Sequence, residues 1–300
     1  MRCDGSIRVD PSTRHETLNV MTQEFPYQAD LCDLHDFPGN QFPWHWHRAV
    51  EIFYIRSGRL VYHLPHGEVC FEAGQGGFLN SNVLHMTTCR ESDACEQEEQ
   101  QFLPEFIGGL ETSRIMEKYV QPVLHAPGLT LIKFDPSHAA HTPMLDAICR
   151  AYRLYEQQPD GFELELQQTL LSFWQGLYQL TRGQHPPERA NPDDQRIKQM
   201  LRYIAAHYAG HLRLEDIAAA AYLSPRACGR CFQSQLGTTP FAYLLDYRVQ
   251  RACEQLAMTD LPVGEVALQC GFSSSSYFGR VFFEKTGKTP NAYRQEKKQR

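Results

Sequence analysis

The pattern of apolar and polar residues divides the chain into a strand-rich front, two middle helices and a helical C-terminal third. From about residue 29 to residue 108, short apolar runs are broken by Gly, Pro and Asn, which is typical of strands. Residues 52–55 and 60–64 lie on either side of Ser57-Gly58, and this spacing predicts a hairpin. Many short strands with regular turns predict a sandwich or a small barrel.

The middle of the chain has helical periodicity. Residues 143–155 and 162–181 place apolar residues three and four positions apart, which predicts two amphipathic helices. Their apolar stripes can close the barrel or pack against a second chain, and of these two arrangements we expect the dimer contact. Residues 183–194 are polar and Pro-rich, which is typical of a linker between domains.

The C-terminal third contains one pattern twice. Both copies contain Gly-Arg-x-Phe, from Gly229 and from Gly279, and both continue with Gly-x-Thr-Pro-x-Ala-Tyr. The early matches lie 49 residues apart and the later ones 50 residues apart. A repeat fixes the unit of structure, and here the unit is a helix, a short turn and a helix. The sequence therefore predicts helix-turn-helix units at about 214–236 and 263–286, with Ser273 or Ser274 as the N-cap in the second unit.

Composition indicates a globular protein of two or more domains. Of the 300 residues, 42% are hydrophobic and 21% are charged, and no apolar run approaches the ~18 residues that cross a bilayer. The first residues lack the apolar core of a signal peptide, so we expect a cytoplasmic protein without membrane contact. The ten cysteines follow no disulfide framework, and we expect them to be free thiols.

Charge is distributed unequally along the chain. Residues 194–300 carry 15 Lys and Arg against 9 Asp and Glu, a net charge of +6. Residues 1–193 carry 14 against 26, a net charge of −12. A basic C-terminal third indicates a polyanionic partner, and the acidic remainder argues against DNA binding by the front of the chain.

One segment of the front has metal-ligand spacing. His45, His47 and Glu51 lie on one face of a strand, provided that no bulge intervenes, so two imidazoles and a carboxylate converge. Trp44 and Trp46 alternate with the histidines. Aromatic rings beside polar groups suit an organic ligand, although packing in a core is the alternative.

This segment resembles the first motif of the cupin family, Gly39-x5-His45-x-His47-x3-Glu51-x6-Gly58. His85 falls where the family has its third histidine, whereas Asn80 and Asn82 replace the usual Pro and Gly. The resemblance implies a double-sided β-barrel whose mouth holds a small-molecule effector or a transition metal such as iron or manganese. No cofactor is required by this interpretation, and a metal held by His45, His47, Glu51 and His85 is the open alternative.

The segment 196–294 resembles the DNA-binding domain of AraC/XylS-type transcription regulators. The residues that match this family lie in both repeats and in the segment that connects them: Ile217-Ala218, Leu223-Ser224, Arg230, Phe232, Gly237, Pro240, Arg248, Ala252, Gly271-Phe272-Ser273, Tyr277-Phe278, Arg280, Phe282, Thr286-Gly287 and Pro290. It implies two helix-turn-helix units that enter successive major-groove segments ~34 Å apart on one face of double-stranded DNA.

The resemblance also implies which residues contact DNA. The candidates are Arg226, Gly229 and Arg230 in the first unit and Ser274, Ser275, Ser276 and Arg280 in the second. Arg226 is the expected base reader, because an arginine can bond guanine O6 and N7 together. Arg230 and Arg280 are either readers or phosphate contacts.

Two further residue sets in this third have more than one interpretation. For Arg248 the resemblance implies a buried pair with an acidic side chain, and contact with a base is the alternative. Cys228 and Cys231 form a lone CxxC on one helix, for which small core residues are the expected role and a zinc or redox site the alternative.

The sequence therefore predicts an α+β multidomain protein. Its parts are a cupin-like β-barrel sensor domain (1–135), a helical dimerisation pair with its linker (136–193) and an all-α DNA-binding domain with two helix-turn-helix units (194–300). The predicted function is regulation of transcription, without enzymatic activity, by a homodimer that responds to a small metabolite such as a sugar. An activator would also contact RNA polymerase. The alternative is a metal-dependent cupin enzyme with an accessory basic helical domain.

Overall fold

The computed structural model describes residues 21, 22, 24–65, 67–90, 94–126, 128–182 and 192–299, with only the backbone of Pro38 and of residues 297–299. These residues form two compact units that divide between residues 182 and 192. Most of the predicted linker lies outside the described residues. Its last part does not, and there the linker prediction is wrong: Pro192 begins helix α5, with Asp193 and Asp194 in the first turn, where carboxylates complement the helix dipole.

In its described residues, the first unit is built on eight antiparallel strands. They are β1 Tyr27–Asp33, β2 Gln41–His45, β3 Val50–Leu64, β4 Gly67–Glu72, β5 Gly76–Leu79, β6 His85–Thr88, β7 Cys95–Phe102 and β8 Leu131–Phe134. One group of strands has the order β1-β7-β3-β5-β8, and β3 also pairs with β4 and β6, of which β6 pairs with β2. The first part of β3 therefore belongs to one group and its last part to the other.

The hairpin predicted at Ser57-Gly58 is wrong, because β3 continues through these residues. The register of β3 against β7 shifts between Ile55 and Ser57, which marks a bulge. Gly58 has a φ of 76°, and a Cβ atom there would lie 1.4 Å from the carbonyl oxygen of Ala94. Only glycine fits this position, and the dipeptide that resembled a turn is where β3 passes from one group of strands to the other.

The helices of the first unit cover one side of the sheet. They are α1 Glu105–Gly108, a π-helical turn Met116–Val120 that continues into α2 Gln121–Leu124, α3 Thr142–Gln157 and α4 Phe162–Thr181. The buried stripes of α3 and α4, which include Ile148, Leu170 and Phe173, share one core with strand residues such as Phe78 and Phe134. The apolar stripes of α3 and α4 therefore pack inside the first unit, and a dimer contact would have to use the outer side of α4.

The second unit consists of seven helices in the described residues: α5 Pro192–His207, α6 Leu214–Ala219, α7 Pro225–Leu236, α8 Pro240–Met258, α9 Val263–Gln269, α10 Ser275–Thr286 and α11 Pro290–Gln299. The sequence repeat is also a repeat of hydrogen bonds. In the turn after α6, the Leu223 N–H donates to the Ala218 carbonyl at 2.9 Å, and after α9 the Phe272 N–H donates to the Ala267 carbonyl at 2.9 Å.

The second helices of the two pairs also begin and end alike. Ser224 caps α7 and Ser274 caps α10, each accepting an N–H from the residue three positions on at 3.3 Å. Gly237 and Gly287 end these helices in the left-handed conformation. Of the two serines proposed for the second cap, the structure selects Ser274, so Ser273 is the additional residue that changes the offset from 49 to 50.

Cysteines in the two units have different environments. Cys32, Cys89 and Cys95 are bonded through sulfur, the last two to each other, so the prediction of free thiols is wrong for these three. Cys228 and Cys231 are free and buried, and burial raises the pKa of these thiols to about 11 and about 12, respectively. Both are protonated at neutral pH, as expected for core residues. Among the described helices, none combines the length and the apolar content that crossing a membrane requires.

Candidate functional site

Helix α7 presents two cations on its exposed side. Arg226 and Arg230 are exposed and one turn apart, whereas Cys228 and Phe232 face the core. Neither guanidinium has an ion-pair partner in the described part of the chain. Gly229 lies between them, and a Cβ atom at this position would meet no heavy atom within 4 Å. The surface between the two arginines is therefore bare backbone, to which another molecule can approach closely.

Helix α10 presents a related but less basic surface. Ser275, Ser276 and Arg280 are exposed, and at the offset of 50 Ser276 corresponds to Arg226. The guanidinium of Arg280 lies 5.5 Å from the centroid of the Tyr277 ring, within the range of a cation–π contact. This contact orients Arg280. Arg230 has Ala227 at the corresponding position and lacks such a ring.

Several cations of the second unit already have partners. Lys285 pairs with Asp246 at 2.6 Å, and Lys288 pairs with Glu296. Arg248 donates from Nε to the Tyr208 carbonyl and from Nη2 to the Gly210 carbonyl, each at 2.8 Å. The predicted acidic partner of Arg248 is therefore wrong, since its guanidinium binds the backbone that follows α5.

Three imidazoles and one carboxylate meet in the first unit. His45 ends β2, Glu51 lies in β3 and His85 begins β6, while His47 lies between β2 and β3. Ligand atoms of the three histidines lie within 4.8 Å of one another, and all four side chains are buried. Oε2 of Glu51 is 3.3 Å from Nε2 of His47 and 3.6 Å from Nε2 of His85. The sequence motif and the more distant His85 thus converge.

The backbone fixes the orientation of all three rings. Nδ1 of His45 lies 2.8 Å from the Pro43 carbonyl, Nδ1 of His47 2.8 Å from the Ala49 carbonyl and Nδ1 of His85 3.0 Å from the Val83 carbonyl. A carbonyl oxygen only accepts, so each Nδ1 carries a proton. In a neutral ring Nε2 then carries a lone pair, and in this cluster Nε2 of His47 and His85 faces Glu51. Such outer hydrogen bonds are typical of metal-binding histidines.

A cation is needed to balance this arrangement. Two lone pairs and a carboxylate at 3.3 and 3.6 Å repel one another unless a proton or a metal ion lies among them. Burial alone would raise the pKa of Glu51, but where a proton fills the cluster the protonated imidazoles lower it, through a hydrogen bond from His47 and the charges of His85 and His47, and the Tyr62 hydroxyl adds a further hydrogen bond. The residues present therefore fit a transition metal held by His45, His47, His85 and Glu51.

Sequence reasoning missed one participant in this cluster. The Tyr62 hydroxyl donates to Oε1 of Glu51 at 2.8 Å, and the Tyr62 ring is stacked 6.3 Å from that of His85. Tyr62 lies beyond the bend in β3, so spacing along the strand did not reveal it. Trp44 and Trp46 are buried, in agreement with core packing.

A cavity of about 300 Å³ lies next to the chain that carries His47. Its lining includes Arg48, Asn82, Glu105 and His125. Asn82 donates its N–H to the His47 carbonyl at 2.8 Å, which connects this wall to the imidazole cluster. The cavity has both signs of charge and is large enough for a small metabolite.

Comparisons with known proteins concern both parts of the chain. A family described as a helix-turn-helix domain matches residues 217–296. The uncharacterized HTH-type transcriptional regulator YdeC of Bacillus subtilis is 29% identical over 94% of this chain and 94% of its own. The regulatory protein PocR of Salmonella typhimurium is 40% identical over 35% of this chain and 35% of its own. Among solved structures, ToxT from Vibrio cholerae aligns over 90% of this chain and 98% of its own, with 13% identity and a TM-score of 0.49.

Proposed function

We propose that this chain, which carries an AraC-type helix-turn-helix domain and has transcription regulators among its relatives, is a sequence-specific DNA-binding regulator that responds to a small molecule. In this proposal residues 194–300 are the DNA-binding domain and residues 1–135 a cupin-like sensor domain. Residues 136–193 are a helical dimerisation segment with its linker. The helical pairs α6–α7 and α9–α10 act as two helix-turn-helix units.

The observation that carries the proposal is the pair of matched exposed faces on α7 and α10. The two pairs of helices share their turn and cap hydrogen bonds, so the same kind of surface is presented twice on one rigid fold. Two such surfaces suit two successive major-groove segments. The faces differ where Arg226 corresponds to Ser276 and Ala227 to Tyr277, and different side chains on equally built faces are what two different base sequences require.

The residues divide into different roles. Arg226 lies in the first turn of α7, where a recognition helix contacts base edges, and its exposed guanidinium can bond a guanine. Arg280 is oriented by Tyr277, which suits a fixed contact to a phosphate. Ser275 and Ser276 offer hydroxyl groups that accept or donate and therefore discriminate bases weakly. Ser274 contributes through the backbone, since its hydroxyl caps α10.

A binding experiment tests this division. Sites are first selected from random duplexes with the full chain, and the affinity for the best site and its single-base variants is then measured by fluorescence anisotropy at several salt concentrations. Arg226→Ala should lower discrimination at one base position by about 1–3 kcal/mol. Arg280→Ala should instead weaken binding to all duplexes and reduce the salt slope by about one.

Arg150→Ala is the matched control, since Arg150 is an exposed arginine of the first unit that pairs with Glu165. It should change neither affinity nor discrimination. The assignment of Arg226 is wrong if its replacement leaves the preferred site and the penalties of all single-base variants unchanged.

The sensor role rests on the imidazole cluster and the adjacent cavity. We propose that a small metabolite such as a sugar binds at the cavity beside Arg48 and Asn82. A metal at the His45, His47, Glu51 and His85 cluster would supply positions at which ligand oxygens can coordinate. His85→Gln should remove the metal and also the thermal stabilisation by the metabolite that a screen identifies. If the metabolite still stabilises the protein when the metal is absent, metabolite binding does not depend on the metal site.

The proposal also includes a contact between two copies of this chain. Leu164 and Leu171 are exposed on α4 and lie seven residues apart, so they project from the same side of the helix. This outer side, and not the buried stripe, is the proposed contact with a second copy. A dimer places four helix-turn-helix units on repeated sites, and an activator would add a contact with RNA polymerase.

A further inference from the structure

A second set of metal-type ligands lies in the first unit, apart from the imidazole cluster. Ligand atoms of His35, Cys89 and Cys95 lie within 4.8 Å of one another. His35 lies in the short 3-10 turn after β1, Cys89 follows the last residue of β6, and Cys95 begins β7. Cys89 comes four residues after His85, which is about 13 Å along an extended strand. The two clusters are therefore separate.

Strand register brings a fourth residue to the same face. Cys32 in β1 lies directly opposite Gln97 in β7. Residues 95 and 97 alternate with residue 96 and project from the same face, so Cys32 and Cys95 are diagonal neighbours. Cys32 is buried, as is Cys95. Cys32 is not among the ligand atoms that lie within 4.8 Å of one another, and the three cysteines are bonded through sulfur in this structure. Once these bonds are reduced, the three thiols and His35 make up one of the usual ligand sets of structural zinc.

The position of His35 distinguishes a metal site from a simple disulfide. Nδ1 and Nε2 of His35 lie 3.3 and 3.9 Å from Sγ of Cys95. Zinc bonds of about 2.3 Å to sulfur and 2.0–2.1 Å to nitrogen, at a tetrahedral angle, place these atoms about 3.6 Å apart. The Nε2 distance of 3.9 Å is close to this value, so Nε2 of His35 and Sγ of Cys95 can share one ion. A disulfide between Cys89 and Cys95 requires no imidazole beside it.

Asp33 supplies the outer contact that such a histidine needs. Its Oδ1 lies 2.8 Å from Nδ1 of His35 and accepts the His35 backbone N–H at 3.0 Å. With Nδ1 bonded to this carboxylate, Nε2 is left for a metal. Carboxylate–histidine–zinc arrangements of this kind fix the ring and increase the basicity of the ligand nitrogen.

We propose that Cys32, His35, Cys89 and Cys95 of the reduced chain bind one structural zinc ion, with Asp33 orienting His35. Thiolates favour zinc over the hard cations magnesium and calcium. The ion joins β1 and β7 to the end of β6, which belongs to the other group of strands. Among the described strands β6 pairs with β2 and β3, so the ion adds a side-chain link from β6 to β1 and β7.

Metal analysis of the full chain tests the proposal. The protein is expressed without a polyhistidine tag, purified with a non-metal reductant and analysed for zinc and for reactive thiols. Wild type should contain one zinc ion that Cys89→Ser and Cys95→Ser lose. Cys70→Ser is the matched control, because Cys70 is a free cysteine of the same unit, and it should keep the ion. His47→Gln should also keep it, which separates this site from the imidazole cluster.

Two further measurements cover the case in which cysteine variants do not fold. Asp33→Asn retains every ligand and should weaken zinc binding about 10–100-fold in a competition with a chelator. Cobalt taken up by wild type should show thiolate-to-metal charge-transfer absorption, which an imidazole site cannot produce. The proposal is wrong if reduced wild type binds neither ion, if Cys95→Ser keeps full stoichiometry, or if the cobalt spectrum lacks the thiolate band.

Discussion

The two turns of the second unit provide a matched pair of backbone positions. Tyr222 and Gly271 lie 49 residues apart in the repeat, and both adopt the left-handed conformation, with φ of 56° and 81°. The space around them differs. Tyr222 is 94% exposed. A Cβ atom on Gly271 would lie 2.6 Å from the Tyr208 carbonyl oxygen and 2.9 Å from Nε and Nη2 of Arg248.

The expected cost of Gly271→Ala follows from these contacts. Left-handed backbone costs a residue with a Cβ atom about 1–2 kcal/mol. Displacing Arg248 from the Tyr208 and Gly210 carbonyls adds the loss of a charged hydrogen bond, about 1.5–3 kcal/mol. Gly271→Ala should therefore destabilise the second unit by about 2.5–5 kcal/mol. Tyr222→Ala changes neither the φ preference nor the packing, so it should leave the stability of the second unit nearly unchanged. Tyr222→Gly should stabilise this unit by about 0.5 kcal/mol, because relief of the left-handed backbone exceeds the cost of the greater freedom of glycine in the unfolded chain.

Urea unfolding of the full chain, followed by two spectroscopic signals, distinguishes the two units. The three tryptophans, Trp44, Trp46 and Trp174, all lie in the first unit, so their fluorescence follows that unit. Far-ultraviolet circular dichroism follows the helices, most of which lie in the second unit. With a slope of about 1–3 kcal/mol per molar urea, Gly271→Ala should lower the helical midpoint by at least about 1 M and leave the fluorescence transition unchanged. Equal midpoints for Gly271→Ala and Tyr222→Ala would refute the steric reasoning.

Two further predictions concern a helix cap and a buried carboxyl. Ser274→Ala should destabilise the second unit by about 1 kcal/mol in the same assay, and Ser273→Ala by much less, because only Ser274 accepts the Tyr277 N–H; equal losses would contradict the cap. Burial raises the pKa of Glu98 despite a hydrogen bond from Arg56, and its Oε2 has no hydrogen-bond partner among the described residues. The stability of the first unit should therefore fall as pH rises from the ordinary glutamate pKa of about 4.3 through the raised one. In unfolding followed by tryptophan fluorescence, Glu98→Gln should not show this fall in stability. Identical pH profiles for wild type and Glu98→Gln would disprove the prediction.

The periodicity of apolar residues predicted those elements that are determined by residues close together in the sequence. Helix α4 spans Phe162–Thr181, as its apolar spacing predicted, and the repeat gave both helical pairs because their caps and turns are encoded within about 25 residues. The bend in β3 was not predictable in this way. Ser57-Gly58 has the composition of a hairpin turn, and only the pairing of β3 with β7 and the closeness of Ala94 show that the strand continues.

The candidate sites show the same limit. The exposed positions of Arg226 and Arg230 follow from helical spacing. His45, His47 and Glu51 converge as predicted, but the single strand predicted for them is wrong, because His45 ends β2, Glu51 lies in β3 and His47 lies between the two strands. By contrast, the partners of Arg248 are backbone carbonyls that follow α5, about 40 residues earlier. Tyr62 reaches Glu51 across the bend. Contacts made by folding distant segments together leave no spacing signal in the chain.

The two ligand clusters of the first unit differ in the chemistry that each permits. Three cysteines and a histidine complete a tetrahedral shell, and a zinc ion within it has no position left for another ligand. Three imidazoles and Glu51 leave positions open on a metal that accepts six ligands, such as iron or manganese. An effector that coordinates a metal is therefore expected at His45, His47, Glu51 and His85 and not at the proposed zinc site. The role of the proposed zinc site, which includes Cys89 and Cys95, is to stabilise the first unit. Loss of the zinc ion should therefore lower the unfolding midpoint of this unit. Protein that remains folded without zinc should still bind the effector.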